Sequence, residues 1–286
     1  MTQSTALIGA AERCVHIGDR ENDIYEFFCR AAAEGTNFLV RTCVDRLASD
    51  GSHTTNAEMA EVSVQGLHRV MVPIGPGKLD EALVELRYKA IHVLPPIGKQ
   101  KRYPALTLTV IHGRERGKPE GRPALDWRLI TNLKIDTAEE AVEKLGWYAM
   151  RWKIEVFHKI LKSGCRAEEA KLRTAERLVN LIAIFCLLSW RIFWMTMINR
   201  TAPNAPPTLV LTEDECTILD SAIPDRTGAK GHDPTLAKYL SKIARLGGYL
   251  ARSHDPPPGN IVMWRGWRRL MDISEGYNLA RKDMGN

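Results

Sequence analysis

Tyr148, Arg151, Glu155 and Lys162 fall within the stretch YAMRWKIEVFHKILK, where residue type and spacing together suggest chemistry. A helix with 3.6 residues per turn returns to the same face after seven and fourteen positions. One continuous helix would therefore align these four along a single groove, with Lys159 at its edge. A carboxylate among cations stays ionised and suits a hard cation such as Mg²⁺. The neighbouring Arg and Lys then suit the phosphates of a polynucleotide, and tyrosine adds a hydroxyl and a ring. The same spacing also describes a solvated face, on which Glu155 pairs with Arg151 and Lys159 for only about 0.2–0.5 kcal/mol each. Spacing alone leaves both readings open.

The elements that must position these residues begin with RCVHI (13–17), a β-type run ending at Gly18-Asp19. Asn22 and Asp23 offer caps for a helix with Ile24, Phe27, Phe28 and Ala31 on its apolar face, and Gly35 stops it. NFLVRTCV (37–44) is again strand-like, so this segment predicts a parallel pair with a crossover helix. In such units functional side chains stand at the carboxyl ends of strands, where Asp19 lies.

Residues 45–125 hold the alternating runs AEVSVQG, HRVMVPIG, ALVELRYKAIHVLP and ALTLTVIHG, which predict an antiparallel β insertion. GRERGKPEGRP (113–123) reads as a mobile basic loop, and DWRLITN (126–132) returns to strand. From Thr137, with Glu140 completing a capping box, the pattern is helical through Gly164. Lys171–Asn199 predicts a long, mostly buried helix. Beyond the TAPNAPP link, Thr212 caps one helix, PTLAKYLSKIARLGG ends another at glycine, and MWRGWRRLMDI is a short amphipathic stretch.

A formal charge of +6 leans toward a polyanionic partner, because cations that neutralise phosphates gain affinity by counterion release. The six cysteines form no CxxC pair, which predicts buried thiols in a reducing cytoplasm. No basic region followed by an apolar run opens the sequence, so no secretory signal is expected there. The apolar run at 178–198 contains Asn180, Ser189 and Arg191. An arginine at mid-depth in a bilayer costs at least about 2.5 kcal/mol, so a core helix is the expectation rather than a span.

The pattern Y-x2-R-x3-E-x6-K, carried by Tyr148, Arg151, Glu155 and Lys162, resembles the motif of bacterial cut-and-paste DDE transposases of the insertion-sequence-four group, transposon-five type. HIGDRENDIYEFF is similar to the block around the family's second catalytic aspartate, which falls on Asp19. FLVR, ending at Arg41, resembles the strand whose arginine contacts DNA. LDWRLITN resembles the strand whose tryptophan stacks on a flipped base, here Trp127. IARLGGYL and WRGWRRL resemble the dimerisation section. The likeness runs through almost the whole chain, in the family's order.

The resemblance implies an α/β fold: a partial ribonuclease-H-like core at 1–44, a β-rich insertion at 45–125, the core strand and catalytic helices at 126–200, and a helical dimerisation-like section at 208–286. It implies two-metal phosphoryl transfer with Mg²⁺ or Mn²⁺, with Asp19 and Glu155 as catalytic metal ligands. Arg41, Trp127, Tyr148, Arg151, Lys159 and Lys162 would contact DNA. Transposon-end duplex, and a second copy or a full-length relative in a mixed dimer, are the implied partners, in a bacterial cytoplasm without membrane attachment.

The family uses three carboxylates, the first upstream of the second. No aspartate occurs among the 18 residues before Asp19, where Glu12 is the sole acid. The expectation is a C-terminal portion lacking the first catalytic aspartate and inactive alone. Its rivals are a non-catalytic DNA-binding or dimerising regulator of transposase descent, and a metal-dependent nuclease of the same core fold.

Overall fold

The computed structural model describes residues 2–75, 78–165, 167–225 and 234–283. The chain is mixed α/β with a helical C-terminal part, and it divides into two compact units, Met1–Arg151 and Trp152–Asn286. This border falls inside the 126–200 stretch that the sequence pattern groups together.

In the first unit, α1 (Thr2–Ile8) precedes β1 (Val15–Gly18), α2 (Tyr25–Ala33) and β2 (Asn37–Arg41). Short strands β3 (Leu47–Ala48) and β4 (His53–Thr54) lead into α3 (Thr55–Ala60). Four longer strands follow: β5 (Gly66–Gly75), β6 (Lys78–Val93), β7 (Leu106–Glu115) and β8 (Asp126–Thr131). Helix α4 (Ala138–Ala149) closes the unit. The strands make one 8-stranded sheet of order β1-β2-β8-β7-β6-β3-β4, with β5 pairing β6. Among the described residues only β1 and β2 run parallel, in register Val15↔Asn37, with α2 as the crossover; the remaining pairs are antiparallel.

Successive side chains on a strand point to opposite faces, so this sheet has two cores. Phe38, Val40, Val110 and Ile130 pack under Tyr25 and Phe28 of α2 and Met59 of α3. Leu39, Leu86, Ile111 and Leu129 pack under Ala141, Leu145 and Tyr148 of α4. Helices on both faces bury each side of the sheet, a stable layered solution. Asn132 extends the pairing of β8 with β2: its Oδ1 accepts from Phe38 N and its Nδ2 donates to Thr36 O, both at 2.9 Å.

Several expectations are corrected here. AEVSVQG is not a strand: Ala60 ends α3, and pairing resumes only at Gly66. Asp23 does not cap α2. Its Oδ2 accepts instead from Thr42 Oγ1, Cys43 N and Val44 N, which ends β2 at Arg41. The basic loop at 113–123 is anchored at Arg122, which reaches Glu115 at 2.7 Å and Asp80 at 2.9 Å.

The predicted continuous helix through 148–162 is two helices. α4 ends at Ala149, and α5 spans Trp152–Ser163. Met150 N donates to both Gly146 O and Trp147 O, and Arg151 N to Tyr148 O at 3.0 Å. Such i→i+3 bonds tighten and terminate a last turn.

The second unit contains α5, α6 (Ala175–Thr201), α7 (Glu213–Ala222), α8 (Leu236–Leu246) and α9 (Asn260–Asp283). Thr174, Thr212 and Thr235 cap α6, α7 and α8 with their hydroxyls. The core joins Ile160, Ile192, Met195, Leu219, Ile243 and Trp267. The α8–α9 crossing is close because it is lined by glycine: a Cβ on Gly266 would lie 1.8 Å from Ile243 O, and one on Gly247 2.0 Å from Val262 O. The amphipathic MWRGWRRLMDI stretch belongs to the much longer α9.

Helix α6 is not mostly buried. It is long and apolar enough to cross a membrane by length and composition, yet only 22% of its apolar window is buried. Its buried residues, Ser189, Ile192, Phe193 and Met195, lie in the C-terminal half, and Leu187 is 71% exposed. Arg191 belongs to that half, 3.3 Å from Glu215 and 4.4 Å from the Trp267 ring centroid.

Candidate nucleic-acid interface

The carboxyl ends of β1 and β2 collect the first group of nominated residues. Asp19 follows β1 directly and caps the short turn Arg20–Asn22. Its Oδ1 accepts from Glu21 N and Asn22 Nδ2, both at 3.0 Å. Gly18 is required beside it, because a Cβ there would come within 2.6 Å of Asn22 Cβ. Asp19 Oδ2 faces Arg151 Nη1 at 3.9 Å, and the carboxylate is 40% exposed.

Arg41 is the last residue of β2 and Trp127 the second of β8, on the α4 side of the sheet. Far apart in sequence, they line one cavity of about 490 Å³ together with Arg20, Thr42 and Arg128. Arg41 Nη2 donates to Asp126 O at 3.1 Å, which ties its guanidinium to the residue before Trp127. Trp127 is half-buried and packs partly against the α4 core. An aromatic face beside two or three guanidinium groups can stack a base and hold its phosphate.

Tyr148 is buried on α4 as part of the sheet core, with the Arg151 guanidinium 5.9 Å from its ring centroid. Arg151 stands in the turn after α4. Glu155, Lys159 and Lys162 belong to α5 in the second unit, all three exposed. Lys162 pairs with Glu168 at 2.8 Å, a bond that raises the pKa of its ammonium.

Thus Asp19, Arg41, Trp127, Tyr148 and Arg151 share the first unit, while the remaining three are carried by the second. Among the described residues, no three His, Cys, Asp or Glu side chains converge as a metal site. Asp19 offers one anchored carboxylate, and Glu155, the other nominated carboxylate, belongs to the second unit. Arg20 and Arg128 were not nominated from sequence. Each adjoins a nominated residue, but only strand register and the turn after β1 reveal that they face the same cavity.

The second unit carries the independent evidence of descent. Residues 187–285, from the buried half of α6 through α9, match the family model described as the transposase Tn5 dimerisation domain. The match covers the C-terminal third of the chain and supports a transposase-family origin for it.

Proposed function

We propose that this chain is a transposase, of the kind that cleaves and transfers DNA strands with a divalent metal ion, that it pairs through its C-terminal helices, and that it does not cleave DNA on its own. The observation that carries the DNA reading is the meeting of Arg41 and Trp127, 86 positions apart in the chain, in one arginine-rich cavity beside Asp19. The dimerisation-domain match supports pairing, with a second copy or in a mixed dimer with a full-length relative.

On this reading the parallel β1–β2 pair with its α2 crossover belongs to a partial ribonuclease-H-like core at 1–44, continued by the strand and helices at 126–200. The β-rich segment at 45–125 is its insertion, and 208–286 the dimerisation section. Double-stranded transposon ends are the ligand. Mg²⁺ or Mn²⁺ is the cofactor of the ancestral reaction, supplying Lewis-acid stabilisation of phosphoryl transfer, with Asp19 and Glu155 as its carboxylates. Tyr148, Arg151, Lys159 and Lys162 contact the DNA backbone. The protein works in the cytoplasm.

A non-catalytic regulator of transposase descent is the second reading, favoured by the match, which is to the dimerisation domain. Incubating the purified chain with transposon-end duplex and Mg²⁺ or Mn²⁺ tests the claim of inactivity. Intact strands are expected. Nicking that disappears in Glu155→Gln would overturn it and assign the chain as an active enzyme.

A further inference from the structure

The α2–α3 face of the sheet changes character toward the amino end of β8. Val110 and Ile130 are core. Two residues along each strand, they give way to a cross-strand row of Arg87, His112 and Arg128, paired Arg87↔His112 and His112↔Arg128. The next row is Glu85, Arg114 and Asp126. Residues two apart on a strand share a face, so three guanidinium groups and an imidazole gather on one patch. With Asn56 and Met59 of α3 they line a cavity of about 330 Å³.

Two carboxylates pair with this group, and neither lines the cavity. Glu85 stands 3.3 Å from Arg87, while Asp126 is 2.9 Å from His112 Nε2 and 3.8 Å from Arg128. Burial first, and then the Arg128 and Arg87 charges, hold the pKa of His112 below its ordinary value despite the hydrogen bond to Asp126. Arg87 is oriented by Val62 O at 3.1 Å, and Arg128 by Asn56 Oδ1 at 2.6 Å. Arg114 is exposed, and among the described residues no hydrogen bond or ion pair holds its guanidinium.

Arg128 lines both this cavity and the one containing Arg41 and Trp127. Arg128 thus belongs to both arginine-lined cavities, although Arg41 and Trp127 stand on the α4 side of the sheet and Arg87 and Arg114 on the α2–α3 side. One small anion would engage one cavity, whereas a polyanion presents charges to both. We infer that the cavity bounded by Arg87, Arg114 and Arg128 binds a backbone phosphate of DNA, extending the contact that begins at Arg41 and Trp127. The inference rests on the DNA-binding reading above.

Arg114 is the residue to change, because among the described residues no hydrogen bond or ion pair of the fold depends on its side chain. Binding of the full chain to a fluorescein-labelled duplex of arbitrary sequence is followed by anisotropy over a range of salt concentrations. Arg114→Ala is expected to weaken binding several-fold and to reduce the magnitude of the log–log salt slope by about 0.9, the loss of one phosphate contact. Arg114→Glu should weaken it further, with the thermal midpoint of both variants unchanged. Unaltered affinity and slope in both variants, while Arg41→Ala weakens binding, would sink this inference and leave the DNA reading standing. Failure of the unsubstituted chain to bind duplex would sink both. Inorganic phosphate titrated at fixed ionic strength identifies the source of the anion: phosphate bound by the unsubstituted chain and lost in Arg114→Ala, with duplex binding the same in both, would assign a small-anion site and overturn the backbone assignment.

Discussion

Asp23 has no exposed side-chain surface and stands 2.6 Å from Arg46, itself only 6% exposed. Burial pushes its carboxyl pKa up, but the Arg46 guanidinium and the amides of Cys43 and Val44 outweigh that and bring it below the ordinary value of 3.8. A carboxylate whose folded pKa is depressed contributes stability above its unfolded pKa and loses it as pH falls through the folded one. Asp23→Ala would leave Arg46 buried without its partner, at a cost of about 3–5 kcal/mol. Urea unfolding near neutral pH measures that loss, and the variant should lose less additional stability than the parent as the pH is taken below 4. An equal acid sensitivity in both would assign the effect to other carboxylates. The sequence places Asp23 before an apolar helix, where a cap is the local expectation. Its actual partners lie twenty or so positions away, beyond β2, so only the completed β1–α2–β2 unit reveals them. Asp19, Arg41 and Trp127 were nominated because each stands in a contiguous motif. Arg114 and Arg128 were not, because their grouping depends on the register of three strands.

At the scale of elements, local signals were readable wherever one turn of chain sufficed to form them. The Thr137/Glu140 capping box forms as T-x-x-E predicts, and a second stands at Thr212/Glu215. What sequence spacing did not reveal was the break between α4 and α5, where apolar periodicity continues while the backbone turns at Met150 and Arg151. Nor did it reveal why glycine recurs in α9. Gly266 meets the Ile243 carbonyl of α8, whereas a methyl group on Gly276 would find nothing within 4 Å. The same substitution in one helix should therefore have opposite signs. Gly266→Ala must push α8 and α9 apart, costing about 3 kcal/mol or more as overpacking. Gly276→Ala removes backbone freedom from the unfolded chain without a clash and should stabilise by about 0.5–1 kcal/mol. Paired thermal melts of the two variants decide it, and a loss at Gly276 would show that α9 is packed there by something beyond the described residues.

At the scale of the molecule, the residues that the sequence placed in one motif are divided between two units. The sheet unit carries the arginine-rich cavities, and the helical unit carries the family match. Pairing therefore ought to depend on the α8–α9 scaffold and not on the sheet's basic face. Sedimentation equilibrium of the full chain is expected to give twice the 32.2 kDa chain mass at high protein concentration, relaxing toward the monomer on dilution. Gly266→Ala disturbs the helix crossing within the matched segment, so it should move that equilibrium toward monomer at concentrations where the protein remains folded by circular dichroism. Arg114→Glu lies in the other unit and should leave the mass unchanged while weakening DNA binding. If Gly266→Ala instead left the dimer intact, the pairing surface would lie on a part of the matched region that tolerates movement of α9 against α8. If Arg114→Glu dissociated the dimer, pairing would run through the sheet face, and the assignment of one task to each unit would fail.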